Sequence, residues 1–425
     1  MRVQVARPSE HAGIAELPFR DRLDTWDMPN VHDVLGLHRH VVKLIEFGDV
    51  SYVVKELPDH LALREYRLLR EIADAGLPTA EMVAVVTGRT DSAGHVHGEG
   101  MIVTRHLDYS LPYRSLLMGR GLEIPYLGDR VLDALVVLLV RTHLAGFFWG
   151  DCSLSNALFR RDAGALQAYI IDVETAEHHD VLTAGQREFD LMIATDNVAG
   201  GLLDLQADGR LARGIDPIEV ALAINDRYAA LWSEIMFEST AQIGDIVPLR
   251  RRLDRLHELG FDVEEMELVT NEDDVSVSFI PKVVEHGYHA ERLKSLTGLV
   301  AGENQARRML NDIQSYAAHL HTESGRSVPF NVAAVRWLDQ VFEPTIALIP
   351  TELFDRLEPA EIFHQLLEHR WYMTERTGTE LPMTDVVTDY LRLLSEAPSE
   401  RVQLDEPTGE IRLPNGLDSG TVEKI

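Results

Sequence analysis

Between Leu127 and Glu174 the chain joins a long apolar helix, a polar loop and a short apolar hairpin, with three polar residues at the joints. Leu127 to Leu144 reads as a mostly buried helix ending at Gly146, a residue type suited to closing helices. WGDCSLSNALF, from Trp149 to Phe159, follows and places Asp151 and Asn156 five residues apart. Ala157 to Phe159 and Ala168 to Ile171 are apolar runs around Arg160-Arg161-Asp162-Ala163-Gly164, which is a hairpin pattern. YIIDVE, from Tyr169 to Glu174, then brings Asp172 in directly behind an apolar strand. Asn156 and Asp172 are equidistant from Gly164, so antiparallel pairing about that turn is expected to set them side by side. Two hard oxygen ligands at one hairpin mouth suit Mg²⁺, which takes few protein ligands and completes its shell with phosphate and water. A lone D-x-x-x-x-N is common by chance. Set after a buried helix, before a hairpin and ahead of a strand-borne Asp, it is far more specific.

A second pair of charges stands upstream. VVKLIEF and SYVVKEL are β-branched runs separated by Gly48-Asp49, again a hairpin pattern. From about Asp59 to Ala75 the spacing turns helical and stops at Gly76, with Pro78 beyond it. Leu61, Leu68, Leu69 and Ile72 share one face of that helix, and Glu65 sits on the same face. Arg64, Arg67, Arg70 and Glu71 lie off its centre, within reach of water. A carboxylate on a buried face is costly unless it is paired. Lys55, on the preceding strand, points the same way as Val53 and Leu57 and is the natural partner. The plainer alternative leaves Glu65 at the rim of the core and lets Lys55 snorkel to solvent. Met82 to Thr87 and Gly100 to Thr104 read as two further strands.

The order of elements is strands with one helix, then helices with a hairpin, which is an α+β arrangement in two lobes. Residues 1–30 are polar and mixed and have no firm placement. After Arg187 the spacing is helical. A second region begins near Gln242. It holds a basic helix (PLRRRLDRLHEL), an acidic run from Asp262 to Asp274, an alternating strand (VSVSF) and then mostly helices to about Leu394. The acidic run reads as a solvated loop that could dock a basic partner. From Ala397 the chain is rich in Pro, Gly and acids, and a flexible tail is expected.

The order Lys55, Glu65, Asp151, Asn156, Asp172 resembles the protein-kinase-like superfamily. REYRLLREIADAGLPTAEM, from Arg64 to Met82, resembles RIO-type and Kdo/WaaP-type lipopolysaccharide kinases. WGDCSLSNALF and YIIDVE resemble the catalytic and metal loops of aminoglycoside phosphotransferases. The resemblance covers roughly residues 35–235. The whole chain also resembles actinobacterial proteins that couple such a domain to a C-terminal domain of unknown function. It implies ATP and Mg²⁺ as cofactors. Lys55 with Glu65 would hold phosphates, Asp151 would be the base, Asn156 and Asp172 would hold metal, and Asp190, in REFDLM, would brace the catalytic loop. Met101 to Leu107 takes the hinge position, with Arg105 and Leu107 beside the nucleotide. The implied division is an N-terminal segment (1–34), an N-lobe (35–107), a C-lobe (108–240), a mostly helical C-terminal domain (241–396) and a tail (397–425).

Three features depart from the pattern. Trp149 stands where these families often have histidine. The metal motif is Asp-Val-Glu, without the glycine of Asp-Phe-Gly. No G-x-G-x-x-G is present, and the matching stretch, Gly36-Leu37-His38-Arg39-His40, has one glycine. Gly36 and Arg39, with backbone amides, are the expected phosphate contacts; ordinary surface basics are the alternative.

Composition narrows the partners. At 425 residues the chain is too long for one ordinary core. A formal net charge of −29 disfavours general nucleic-acid binding. The one cysteine, Cys152, excludes an intramolecular disulfide and a Cys-rich zinc site. That cysteine usage suits a reducing cytoplasm; the opening MRVQVARPSEHAG lacks the apolar stretch of a secretory signal and no apolar run reaches membrane-spanning length, which leaves membrane attachment through a partner open. Cys152 reads as a packing residue rather than a nucleophile. His178-His179-Asp180 reads as a loop, and the His364/Glu368 pair as solvated surface rather than a metal site. Trp371 and Tyr372 read as core or a domain contact. The partners implied are a nucleotide, a hydroxyl-bearing acceptor and, through the C-terminal domain, a protein. Three functions fit: an ATP-dependent phosphotransferase, a pseudokinase acting as a nucleotide-responsive binding module, and a nucleotidyl transferase.

Overall fold

The structure is a computed structural model that describes residues 1–34, 40–48, 50–90, 96, 98–112, 125–153, 155–211, 216–236, 239–242, 247, 250–252, 256, 263–270, 276–283, 287–324, 328–377, 379, 381–396, 403–404 and 411–412. Gly36 and Arg39 lie outside the described residues, as does nearly all of the expected tail.

The first lobe is built on a six-stranded antiparallel sheet ordered β1-β5-β6-β4-β3-β2. Its strands are β1 (Arg2–Val5), β2 (Val31–Asp33), β3 (Val41–Phe47), β4 (Val50–Pro58), β5 (Met82–Thr87) and β6 (Glu99–Arg105). Side chains alternate between the faces of a strand, and here both faces are covered. Leu57, Met82, Val85 and Ile102 join the core under helix α1 (Asp59–Asp74). Tyr52, Val54, Val86, Met101 and Val103 face the other way, onto Ile14, Leu17, Phe19, Leu23 and Trp26 of the N-terminal segment. Fully buried Arg89 ties that segment down. It pairs with Glu56 and donates Nε to the Phe19 carbonyl at 2.6 Å. The expected hairpin and helix are in place, and α1 closes through Gly76 at φ 72°.

The second lobe runs β7 (Leu111–Pro112), α2 (Pro125–Leu144), β8 (Phe147–Phe148), β9 (Ala157–Asp162), β10 (Ala165–Ile170), β11 (Glu177–His178), α3 (Ala184–Ala207) and α4 (Pro217–Met236). Helix α2 is central, with Val131, Leu135, Leu138, Leu139 and Val140 buried against the hairpin and α4. The β9–β10 register differs from expectation by one residue. Ala163 (φ 53°) and Gly164 (φ 80°) form a two-residue left-handed turn, so the pairing centres between them and not on Gly164. Ala157 therefore pairs with Ile170, and the Asn156 carbonyl accepts from Ile171 N at 3.2 Å. Asp172 lies one residue past Asn156's partner.

Beyond α4, β12 (Ser239–Gln242), β13 (Val263–Thr270) and β14 (Ser276–Val283) form an antiparallel sheet ordered β12-β14-β13. The acidic run is thus largely strand rather than loop. Its Glu265-Met266-Glu267-Leu268 sequence has the period of two that a strand requires. Of the basic helix, Arg250–Arg252 and Leu256 are helical. Helices α5 (Tyr288–Thr297), α6 (Glu303–Ser324), α7 (Phe330–Trp337), α8 (Glu343–Ile346), α9 (Pro359–Thr377) and α10 (Met383–Glu396) complete the domain. They pack around Trp337, Phe342 and Phe363 and around Ile362, Leu366 and Val386. One core expectation and one surface expectation fail here. Trp371 and Tyr372 are 58% and 56% exposed, because the core face of α9 is already filled by Ile362, Phe363 and Leu366. His364, on that same filled face, is buried, while Glu368 one turn on reaches solvent.

The helical domain grips the β9–β10 turn. Buried Asp162 accepts from the backbone N–H groups of Asn304 (3.0 Å) and Gln305 (2.9 Å), capping α6 from outside. Ala163 N donates to Glu361 at 3.1 Å, and Arg160 pairs with Glu358. Among the described residues no helix is long and apolar enough to cross a membrane.

Candidate active site

Strand β4 and helix α1 bring Lys55 and Glu65 together as the buried-charge argument requires. Lys55 Nζ lies 3.1 Å from Glu65 Oε2, and Glu65 is 1% exposed. The irregular segment after β10 adds Asp172, whose Oδ2 is 3.0 Å from the same ammonium. Glu174 Oε2 stands 3.9 Å away and 3.4 Å from His40 Nε2. One ammonium therefore faces three carboxylates. Burial disfavours the Lys55 charge, but Glu65 and Asp172 outweigh it and hold its pKa above the ordinary lysine value. Burial, opposed by Lys55 and aided by Asp172, pushes Glu65 up to about 7.

Asp151 is held from two sides. Asn156 Nδ2 donates to its Oδ2 at 3.0 Å and to its carbonyl at 2.9 Å. Asn197 Nδ2, from α3, donates to Oδ1 at 3.0 Å and to the Cys152 carbonyl at 3.1 Å. Asp190, fully buried on the same helix, accepts from the N–H groups of Trp149 (2.7 Å) and Gly150 (2.8 Å). Its Oδ2 also lies 3.0 Å from Nε2 of buried His143, whose Nδ1 is 2.8 Å from the Tyr228 hydroxyl. Gly150 has φ 75°, and a Cβ there would meet the Phe148 ring at 3.0 Å. Trp149 links the halves of the site, its Nε1 donating to the Asp172 carbonyl at 3.0 Å. Cys152 is fully buried, and burial pushes its thiol pKa well up, as suits a packing residue.

A strand lysine, its helix glutamate and Asp172 thus form one ion-pair cluster, joined through Trp149 to the loop that carries the Asp151/Asn156 pair. Residues 37–193 match the lipopolysaccharide kinase (Kdo/WaaP) family. Residues 230–394 match a domain of unknown function, DUF4032. The chain thus has a two-lobed α+β part, within which residues 37–193 match that kinase family, followed by a mostly helical part. Among solved structures, "WaaP in complex with acyl carrier protein" is 18% identical over 61% of this chain and 99% of that one, with a TM-score of 0.38. The Mycobacterium tuberculosis PknI kinase domain is 14% identical over 49% of this chain and 100% of that one, with a TM-score of 0.27. The search of curated proteins found no match.

Not every expected site residue joins the cluster. The Arg105 side chain is 45% exposed and turned toward Glu81, its Nη1 3.7 Å from Oε2. Leu107 sits in the loop after β6, its carbonyl accepting from Ser110 N. Asn197, His143 and Glu174 were not singled out from the sequence. Asn197 carried a signal, being seven residues after Asp190 and so on the same helix face. His143 carried none that separates it from a packed core histidine.

Proposed function

We propose that this chain is an ATP- and Mg²⁺-dependent phosphotransferase acting on a hydroxyl of a sugar, lipid, metabolite or protein. The observation that carries this reading is Lys55 Nζ standing 3.1 Å from Glu65 and 3.0 Å from Asp172, in a domain that matches a kinase family. Bound Mg-ATP supplies the phosphoryl group and the charge neutralisation for its transfer. The donor set suits the ion, since Asp172 and Asn156 offer hard oxygens. Asn156 commits its amide nitrogen to Asp151, so its carbonyl oxygen is the atom left for a cation. Lys55, oriented by Glu65, meets phosphate oxygens. Asp151, aligned by Asn156 and Asn197, takes the proton of the acceptor hydroxyl. Asp190 fixes the loop that carries Asp151. The backbone of Arg105, at the end of β6, and Leu107, in the loop after it, would meet adenine.

The division into lobes at 35–107 and 108–240, after a segment 1–34 and before a helical domain 241–396 and tail 397–425, belongs to this proposal. So do a cytoplasmic setting and a protein partner for the helical domain. The test is incubation with γ-labelled and, separately, α-labelled ATP in the presence of Mg²⁺ and cell extract. Transfer of the γ label alone is expected. Transfer of the α label would mean nucleotidyl transfer, and none of either would mean a binding module.

A further inference from the structure

A second group of ligand-type side chains lies away from the candidate active site, where the N-terminal segment meets the start of β5. Among the described residues, Glu10, His11 and Glu81 can each place one ligand atom within 4.8 Å of the others. His11 is 4% exposed, and its Nδ1 lies 3.0 Å from the Tyr52 hydroxyl. Its Nε2 is also buried but has no hydrogen-bond partner among the described residues. It points toward Glu81, 3.8 Å from Oε1. A buried ring nitrogen without a partner forfeits its solvation, and proteins seldom leave one so without a use.

We propose that Glu10, His11 and Glu81 bind a divalent transition-metal ion of the Zn²⁺ class, which clips the N-terminal segment to the sheet. One imidazole nitrogen and two carboxylates are a borderline ligand set, favouring such ions over Mg²⁺. In the tautomer with Nδ1–H donating to Tyr52, Nε2 offers its lone pair to the ion. The Tyr52 hydroxyl, on β4, then orients the ring, as outer partners of metal-bound histidines do. The competing cation is Arg7, whose Nη1 is 3.1 Å from Glu81 Oε1 and 4.0 Å from Glu10 Oε2. Its side chain is 66% exposed and free to swing outward, and so exposed a pair resists displacement only weakly. Arg105 stands 3.7 Å from the other Glu81 oxygen, so Arg7 is the cation that the ion displaces from Oε1. The ion would join residues 10–11 to residue 81, closing the N-terminal segment onto the sheet face that it covers.

The test uses the full chain, stripped with a chelator and titrated with Zn²⁺ against a chromophoric competitor, with melting temperature read in parallel. The chain has 18 histidines, so the variants decide the site. One tight equivalent is expected, retained in Asp172→Asn and at least about tenfold weaker in His11→Gln and Glu81→Gln. Zn²⁺ should raise the melting temperature of the unaltered chain and not of those two variants. Should His11→Gln fold poorly, Glu10→Gln alters an exposed side chain and must weaken binding likewise. No tight equivalent, or equal affinity in the unaltered chain and the Glu10 and Glu81 variants, overturns the proposal.

Discussion

Glu65 is the residue at which fold and chemistry press hardest on each other. It is buried on an apolar helix face, its cation is shared with Asp172, and its pKa is pushed up to about 7. The sign of the linkage follows from that rise. Stability that Glu65 contributes is full below its unfolded value and is lost as pH climbs through the folded value, here between about 4.5 and 7. Lys55→Met removes the counter-ion, raises the Glu65 pKa further and extends the window upward. Each pH unit inside it costs about 1.4 kcal/mol per proton. The variant should therefore lose more stability relative to the unaltered chain at pH 8 than at pH 5.5, as followed by denaturant melts. An equal deficit at both values would mean that Glu65 is not held by Lys55. This pair was legible in the sequence because a buried charge demands a partner and Lys55, on the preceding strand, points the same way.

At the scale of elements, the β9–β10 hairpin has two jobs. Its base carries Asn156 and leads to Asp172, and its turn carries Asp162, which caps α6 of the helical domain. Burial, partly offset by the Asn304 and Gln305 N–H groups, pushes Asp162 up to about 6. Asp162→Asn keeps the size but turns an N–H toward donors, so it should cost about 1–3 kcal/mol. It should also remove one proton's share of the pH dependence between about 4 and 6. A melting curve unchanged by the substitution would show that this cap does not hold the domain. The strands and α1 were legible from β-branched runs and helical spacing. The one-residue register shift was not, because it depends on whether the turn takes two residues or three. The N-terminal segment was not legible either, since its place depends on Arg89 and Glu56, which are remote in sequence. Trp371 and Tyr372 misled because aromatic character alone does not say which helix face is already full.

For the whole molecule, the two lobes meet through one core that runs from Leu57 under α1 to Leu256 beyond α4, and the Lys55–Glu65 and Lys55–Asp172 pairs tie β4 and α1 to the segment after β10. Asp151 is held by Asn156 and Asn197, while Asp172 is held against Lys55. In the proposed function the two aspartates have different duties, one toward the acceptor and one toward the metal. The most direct measurement is a paired Mg-ATP titration and phosphoryl-transfer assay on Asp151→Asn and Asp172→Asn. Asp151→Asn is expected to lower transfer by about two to four orders of magnitude with Mg-ATP affinity nearly unchanged, while Asp172→Asn weakens Mg-dependent binding and transfer together. Asp151→Asn losing Mg-ATP as severely as Asp172→Asn, or either variant transferring phosphate at the unaltered rate, would contradict that division of duties.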